Sequence, residues 1–429
     1  MSTVYILLQL DTEDFITPEA DDILLDLIEI LEELNIKASF CIVGEKVKTL
    51  KERGRFDIIN ALKRHDIAYQ SRLHSVHPVI SEYLSDLSWD EGVREIKRRE
   101  ASGIEMIRRV FGVMPSAFIQ PGGSWAPESP YAFMELGIPV YGDGIFESEP
   151  HWFCGSLCLK PTIHFKEHAC ISDLKTLKAE FEEAYEARRK GGLITIILHP
   201  CMFVTKKFWD ALNFAHGMIP HNHKFITPPL RSKGEVEESL KVFKMFLEYV
   251  LSHPNLKVIT FREVPDLYHK PERRTLSLDQ TFELARRTQK HNDWSIIDEI
   301  SISPAEALNL LINLIINHLK FDQKPRSIPV RFVLGPTTKP AETTVKVMSR
   351  ETLISLCSSA KNFIDSHGSI PASINHQGIN YGPSCLLEAA SRAVVYYSMH
   401  DSLPDSIELC GLPVVPEVVR RWGLIDRVR

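Results

Sequence analysis

Three carboxylates follow directly after the first apolar run of the chain. The run Val4–Leu10 has the composition of a strand covered on both faces, and Asp11, Glu13 and Asp14 come next. Carboxylates this close repel one another unless they share a proton or a cation. The segment therefore predicts acid–base chemistry or a metal site. The alternative is an acidic turn at the start of a helix.

Histidines follow two further strand-like runs. His74 and His77 come after the extended segment Ile67–Tyr69, and two histidines three positions apart can share a metal if the loop turns suitably. His199 follows the apolar run Thr195–Leu198, where it is placed for general acid chemistry. In the alternative, each of these histidines is only a structural residue.

A glycine loop and two tryptophans could form a binding wall. The strand-like run Ser116–Ile119 leads into Gln120-Pro121-Gly122-Gly123-Ser124-Trp125, a tight turn whose aromatic ring suits contact with a sugar. Trp152 comes shortly after Asp143 and is a second aromatic candidate. The alternative is a plain turn, with both tryptophans packed against the core.

Strand-like and helix-like segments alternate through the first 265 residues. Helical spacing of apolar residues at 24–34, 89–111 and 240–251 is separated by short apolar runs. This alternation predicts βα units around a parallel sheet or barrel. Polar residues directly after strands then gather at one edge of the sheet, where α/β enzymes build their sites.

A polar, proline-containing segment at 269–274 predicts a boundary between a domain at 1–268 and a domain at 275–429. The second domain has a loose tandem repeat, in which Ser303-Pro304 and Gly382-Pro383 each open an apolar helix. We therefore expect a compact, helix-rich α/β domain with an internal duplication. The stretch Ile370–Ile374 before Gly382 is similar to pseudomurein-binding repeats. The alternative is a structural addition that mediates packing or a homo-oligomer.

The composition is that of an ordinary globular protein. The chain has 429 residues, 44% hydrophobic and 25% charged, with a formal net charge of −6. These values argue against a disordered chain and against a general nucleic-acid-binding surface. The most apolar later stretch, 307–319, is interrupted by asparagines, so no membrane span is expected. Scattered cysteines and the lack of a recognisable signal peptide predict reduced thiols in the cytoplasm.

The order of these motifs resembles that of the polysaccharide deacetylases of the NodB type, carbohydrate esterase family 4. Six segments are similar to the family's motifs in the right order: 11–14, 38–44, 66–74, Gln120-Pro121-Gly122-Gly123, Asp143 and Leu198-His199-Pro200. The resemblance covers about residues 3–265. It implies a deformed (β/α) barrel and metal-dependent removal of an acyl group from an N-acetylated carbohydrate.

The resemblance also implies roles for individual residues. Asp11 would be the base, and His199 would protonate the leaving amine or stabilise the oxyanion. A divalent metal, usually zinc, would polarise the amide carbonyl and a water. Either Glu13 or Asp14 would be its carboxylate ligand, beside His74. The residues expected to face the substrate are Gln70, Gln120, Pro121, Gly122, Trp125, Asp143 and Trp152.

Two positions depart from the family pattern. Gln70 stands where the family has its first metal histidine, and Gln120 stands where it has the arginine that orients the base. An amide oxygen is a poorer zinc ligand than an imidazole nitrogen. Two hypotheses follow. In one, His77 replaces the lost ligand and the site is active. In the other, the site is weakened or inactive, and the chain binds glycan or acts as a scaffold.

Overall fold

A computed structural model describes residues 2–412, apart from 85–86, 88, 123, 125, 127, 143–149, 154, 216–223, 269–274, 291–294, 298–299 and 322–323. The described residues form two compact units. The N-terminal unit contains the described residues of 2–84 and 91–268, and the C-terminal unit contains those of 87–90 and 275–412.

One sheet of ten strands organises the described part of the N-terminal unit. The strands are β1 (Val4–Thr12), β2 (Ser39–Ile42), β3 (Asp66–Tyr69), β4 (Ala117–Ile119), β5 (Val140–Gly142), β6 (His151–Phe153), β7 (Ser156–Cys158), β8 (Ile163–His164), β9 (Gly192–Leu198) and β10 (Leu256–Ile259). Their order is β6-β7-β5-β4-β3-β2-β1-β9-β8, and β10 pairs with the first half of β1. The pairs are parallel except for β6–β7. Parallel neighbours that follow one another along the chain are the product of βα connections.

Helices connect most of these strands. They are α1 (Glu19–Glu33), α2 (Gly44–Glu52), α3 (Phe56–Leu62), α4 (Ile80–Tyr83), α5 (Trp89–Phe111), α6 (Glu128–Glu135), α7 (Leu174–Ala187), α8 (Cys201–Val204), α9 (Trp209–Phe214), α10 (Lys233–Leu251) and α11 (Val264–Leu267). Helix α1 buries Ile23, Leu24, Leu27 and Leu31, which recur at the three-to-four-residue spacing of an amphipathic helix.

Alternate strand residues point into the concave interior of the sheet. One buried apolar cluster there contains Leu7, Cys41, Ala68, Ala117, Ile119 and Leu193. Because successive side chains of a strand point to opposite faces, Gln9 and Asp11 continue the inward row of β1. By the same alternation, Gln70 continues the row of β3, and His199 continues that of β9. The apolar interior therefore ends in polar side chains at the carboxyl ends of the strands.

The C-terminal unit contains one β-α-β-β-α-β pattern twice within the described residues. The first copy is β11 (Thr275–Ser277), α12 (Leu278–Thr288), β12 (Ser295–Ile297), β13 (Ile300–Ile302), α13 (Pro304–Asn317) and β14 (Ser327–Pro329). The second copy is β15 (Val347–Ser349), α14 (Arg350–His367), β16 (Ile374–His376), β17 (Ile379–Tyr381), α15 (Pro383–His400) and β18 (Ser406–Glu408). In each copy the outer strands pair antiparallel and the inner two form a hairpin.

Serine caps and first-turn prolines define the helix starts of this duplication. The Ser277, Ser303 and Ser349 side chains each accept a hydrogen bond from the backbone N–H three residues later. Pro304 and Pro383 occupy the first turns of α13 and α15, where a missing N–H costs nothing. The caps and prolines therefore fix equivalent helix starts in the two copies.

The predicted fold class is confirmed. The N-terminal unit is α/β, with a curled parallel sheet that stays open between β6 and β8 in the described residues, as in a deformed barrel. The C-terminal unit is the helix-rich, duplicated α/β domain that the sequence predicts. Of the helices in the described part of the chain, none combines the length and the apolar character needed to cross a bilayer.

Candidate active site

Strands β1 and β9 bring Asp11 and His199 to neighbouring positions. The two strands are parallel and pair residue by residue up to Leu10 and Leu198, so Asp11 and His199 are next in the same register. Asp11 is almost fully buried, whereas the His199 side chain keeps 28% of its exposure. The pair therefore lies where the closed interior meets solvent.

Two glutamine amides hold the Asp11 carboxylate. Gln9 Nε2 donates to Asp11 Oδ1 and Gln70 Nε2 donates to Asp11 Oδ2, each at 3.0 Å. Burial raises the pKa of Asp11 to about 6; the positive charge of His199 opposes the shift and the carboxylate of Glu13 adds to it. At neutral pH Asp11 is thus a carboxylate of raised basicity.

The carboxylate of Glu167 holds the His199 ring in place. One oxygen, Oε1, accepts hydrogen bonds from the backbone N–H of His199 at 2.7 Å and from Nδ1 at 3.0 Å. Burial opposes a charge on His199, but the Glu167 hydrogen bond and the nearby carboxylates outweigh it and raise the pKa of His199 to about 10. The imidazole is therefore protonated at neutral pH and can donate a proton through Nε2.

A second histidine lies between two other buried carboxylates. His74 Nε2 is 2.7 Å from Glu13 Oε2, and His74 Nδ1 is 2.9 Å from Ser75 Oγ and 3.7 Å from Asp210 Oδ1. Trp209 Nε1 donates to Glu13 Oε1 at 3.3 Å. Burial again opposes a charge, but Glu13 and Asp210 outweigh it and raise the pKa of His74 to about 10.

Asp14 faces the backbone of its own loop. Its Oδ1 accepts hydrogen bonds from the N–H groups of Ile16 at 2.8 Å and Thr17 at 3.0 Å. Its Oδ2 is buried and makes no hydrogen bond to any described residue. Burial raises the pKa of Asp14, and the nearby ammonium of Lys46 opposes that shift. Of the two alternative metal carboxylates, Glu13 is thus the one in contact with His74.

His77 and Gln120, which the sequence also predicts as site residues, have hydrogen-bond partners other than Asp11 and Glu13. His77 Nδ1 pairs with Glu82 at 2.6 Å. Gln120 Nε2 donates to the Gly122 carbonyl at 3.0 Å, and Gln120 Oε1 accepts from Tyr141 Oη at 3.2 Å. The two hydrogen bonds to the Asp11 carboxylate described above therefore come from Gln9 and Gln70, and not from Gln120.

The binding-wall residues are only partly covered by the structure. Trp152 on β6 is partly buried and packs against the interior apolar cluster, and Pro121 is buried in the turn after β4. Gly122 lies in the same turn with a φ of 53°, which is the left-handed region that favours glycine. Trp125 and Asp143 lie outside the described residues. A substrate wall built from these positions stays a prediction.

The donors present do not fit a resident divalent metal. In the described part of the chain no group of three or more His, Cys, Asp or Glu side chains is placed to hold an ion. Zinc sites use three or four such ligands. Here Glu13 and His74 contact each other, Gln70 donates to Asp11, and His77 turns to Glu82. The predicted combination of Glu13, Asp14, His74 and His77 is therefore not assembled.

Sequence reasoning missed three residues of this site, which are Gln9, Glu167 and Asp210. Gln9 is two positions before Asp11, so strand alternation could have placed it on the same face. Glu167 follows β8, and Asp210 lies in the first turn of α9. No local pattern separates these two from ordinary surface or core residues, because only the fold brings them to His199 and His74. Trp209, which begins α9, is a tryptophan that the sequence offered for a sugar site, and it is instead fully buried.

Comparisons with known proteins show similarity at the level of fold. No protein-family model and no curated sequence matches the chain. A protein assigned as a polysaccharide deacetylase from Mycobacterium smegmatis is 15% identical, with a TM-score of 0.42 over 62% of this chain and 90% of that one. The allantoinase Puue is 10% identical, with a TM-score of 0.41 over 63% and 91%.

A family 4 acetyl xylan esterase from Clostridium thermocellum, in complex with a cobalt ion, is also similar. It is 16% identical, with a TM-score of 0.36 over 62% of this chain and 93% of that one. The matched share of this chain is about the size of the N-terminal unit. At these values the superpositions are loose, so the site's chemistry has to be judged from this chain's own residues.

Proposed function

We propose that the chain is a hydrolase that cleaves the carbon–nitrogen bond of an N-acylated carbohydrate or a closely related amide. One observation carries the proposal: Asp11 and His199 lie in register at the carboxyl ends of the neighbouring parallel strands β1 and β9, and each is held by partners of its own. The amides leave Asp11 a carboxylate, while Glu167 keeps His199 protonated. A base and an acid that stand side by side are what amide hydrolysis needs.

The reaction follows from these two groups. Asp11 accepts a proton from a water molecule, and the oxygen of that water bonds to the carbonyl carbon of the amide. The imidazolium of His199 lies beside the oxyanion that forms, and then gives its Nε2 proton to the amide nitrogen as the carbon–nitrogen bond breaks. The products are a carboxylic acid and an amine. A proton passes from Asp11 to His199 through water and restores both groups.

Gln70 has a free acceptor that a substrate can use. Its Nε2 donates to Asp11, while its Oε1 is buried and makes no hydrogen bond to any described residue. A buried acceptor without a donor costs free energy, so a bound N–H or O–H group at this oxygen is favourable. The amide N–H or a sugar hydroxyl supplies such a donor. The carbohydrate part of the proposal rests on the resemblance of the motifs.

The test is amine release from a panel of N-acetylated sugars, their oligomers and simple cyclic amides. His199→Gln should lower kcat by about 10²–10⁴-fold, because it removes the proton donor. The matched control is His253→Gln, which removes an imidazole that is also paired with a glutamate, Glu182, at 3.0 Å on a different part of the fold. Equal activity of the two variants would contradict the proposal.

A second candidate function is glycan binding without turnover. It is favoured by the hydrogen bonds of Gln9 and Gln70 to both Asp11 oxygens, because a water must compete with them for the carboxylate. Calorimetric binding of an N-acetylated oligosaccharide, unaffected by His199→Gln and with no amine released, would favour this candidate over hydrolysis.

A further inference from the structure

Three segments of the N-terminal unit meet at one buried imidazole. Glu13 follows β1, His74 lies in the loop after β3, and Asp210 lies in the first turn of α9. The Glu13, His74 and Asp210 side chains are 1–2% exposed, and the ring lies between the two carboxylates at 2.7 Å and 3.7 Å. We call this set the buried triad.

Both ring nitrogens of His74 and both carboxylate oxygens of Glu13 contact groups of the protein. The ring's Nε2 faces Glu13, and its Nδ1 faces Ser75 and Asp210. The other oxygen of Glu13 accepts from Trp209, whose ring is fully buried against Phe15 and Phe214. Both ring nitrogens of His74 thus lie against groups of the protein, and neither is directed at an open position where a metal could bind.

The neighbouring side chains do not supply a replacement ligand set. Gln70 donates its amide to Asp11, and Asp14 Oδ1 caps two backbone N–H groups of its own loop. His77 pairs with Glu82. A metal would need at least three donors that converge on one point, and the described residues offer no such group.

We propose that the Glu13–His74–Asp210 triad is an internal ion cluster that takes the place of a metal and joins the ends of β1 and β3 to α9. The His74 ring lies between the two buried carboxylates, which would otherwise face and repel one another. The site is then complete without a metal, in contrast to the expectation from the sequence resemblance. This inference concerns the same site as the proposed hydrolysis but does not depend on it, because it is tested without a substrate.

The first test uses the native protein. Elemental mass spectrometry of the purified full chain should find far less than one transition metal per chain. The Tm should be unchanged by EDTA, and unchanged by zinc, cobalt or manganese, because a ligand that binds the folded state raises the Tm. About one metal per chain, or a Tm that falls with EDTA and recovers with zinc, would overturn the proposal.

The second test uses variants, measured with and without EDTA. His74→Gln should lower the Tm by several degrees, because it leaves the buried Glu13 and Asp210 carboxylates without the ring between them. Asp210→Asn should also lower the Tm, because it removes one of the two carboxylates that hold that ring. The matched control is His77→Gln, from the same loop, where the partner Glu82 is 45% exposed, and its Tm should change much less. Equal Tm values for His74→Gln and the native chain would overturn the proposal. If neither triad variant folds, the metal content and EDTA response of the native protein still decide the matter.

Discussion

Asp11 and His199 lie on neighbouring strands, and their surroundings raise the pKa of His199 further than that of Asp11. Asp11 has a pKa of about 6 because it is buried, and His199 has a pKa of about 10 because Glu167 and other carboxylates outweigh burial. Pairs of titratable groups with such opposed environments are the pattern from which acid and base roles are assigned. Between the two values Asp11 is deprotonated and His199 is protonated, as the proposed reaction requires.

This difference predicts a bell-shaped pH profile for kcat/KM. Activity should rise as the pH increases through about 6, where Asp11 loses its proton, and fall as the pH increases through about 10, where His199 loses its own. Steady-state rates of amide hydrolysis across this range measure both limbs. A profile that is flat below pH 7 would contradict the role of Asp11 as base.

The Glu167→Gln variant separates the two limbs of that profile. Glu167 is a positioning residue: its charge holds the proton on His199, so the amide variant should move the alkaline limb to lower pH and lower kcat, while leaving the acid limb in place. A merely structural role for Glu167 would change the rate without moving the limb. An unmoved alkaline limb is therefore the contradicting result.

At the level of single residues, the sequence predicted the candidate site residues better than the carboxylates that pair with them. Asp11 and His199 were visible because each is a polar residue directly after an apolar run, and His74 was visible because of its spacing from His77. Their partners Glu167 and Asp210 were not visible, because they lie in other segments and reach the site only through the fold. His77 shows the reverse case, since its spacing suggested a ligand but the loop turns it to Glu82.

At the scale of elements, helix α2 fixes the acidic loop that follows β1. Its Lys46 side chain is 1% exposed and contacts Asp21 at 2.5 Å and the Asp14 carbonyl at 2.6 Å. Arg53, just after the helix, donates to the Phe15 and Ile16 carbonyls. These two cations hold the loop that carries Glu13.

Lys46→Met should therefore destabilise the protein by about 3 kcal/mol, because it leaves the buried Asp21 with only one of its cations. Urea unfolding followed by circular dichroism measures the change. Lys48→Met on the same helix is the control: its side chain is 47% exposed, so a change below about 0.5 kcal/mol is expected. Equal effects of the two substitutions would contradict this role for Lys46.

Helix α5 makes close contact with β3 at a glycine. A Cβ on Gly103 would lie 2.1 Å from Tyr69 Oη, which donates to the buried Glu100 carboxylate. Gly103→Ala should destabilise the fold by about 1–3 kcal/mol through overpacking, and lower turnover because Tyr69 precedes Gln70. Gly234→Ala on α10 is the control, since a Cβ there meets nothing within 4 Å and should stabilise the helix slightly. Similar unfolding free energies for both variants would contradict the close contact.

Elements were predictable from the sequence where their patterns were long or were marked by caps. The apolar runs of β1 and β9 and the periodicity of α5 and α10 predicted those elements, because burial imposes a regular pattern over many residues. The three-residue strands β6, β7 and β11 were not anticipated, because segments this short carry no periodicity. They form only where a neighbouring strand is already placed.

At the scale of the whole molecule, each unit has a core of its own. The C-terminal core contains residues from both copies of the repeat, including Leu284, Leu311, Leu356 and Leu387. The duplication was visible in the sequence because capping serines and first-turn prolines mark equivalent helix starts. The way in which the two copies share one core was not, because it depends on contacts between distant helices.

A fragment that begins at residue 275 and runs to the end of the sequence should therefore fold alone. The four helices in the described part of this fragment and their continuous apolar core are enough for cooperative folding. Circular dichroism should show helical structure and one cooperative thermal transition. A fragment that melts gradually, with no baseline before the transition, would contradict an independent C-terminal core.

Amide hydrolysis by the chelated 429-residue chain tests most directly whether Asp11 and His199 form a hydrolytic site. Protein dialysed against EDTA would be mixed with the N-acetylated sugars and amides of the panel, and released amine would be compared between the native chain and Asp11→Asn. We predict release by the native chain without added metal, and a loss of about 10²-fold or more in the variant. No release from any substrate, or release only after a metal is added, would contradict a metal-independent hydrolase built on Asp11 and His199.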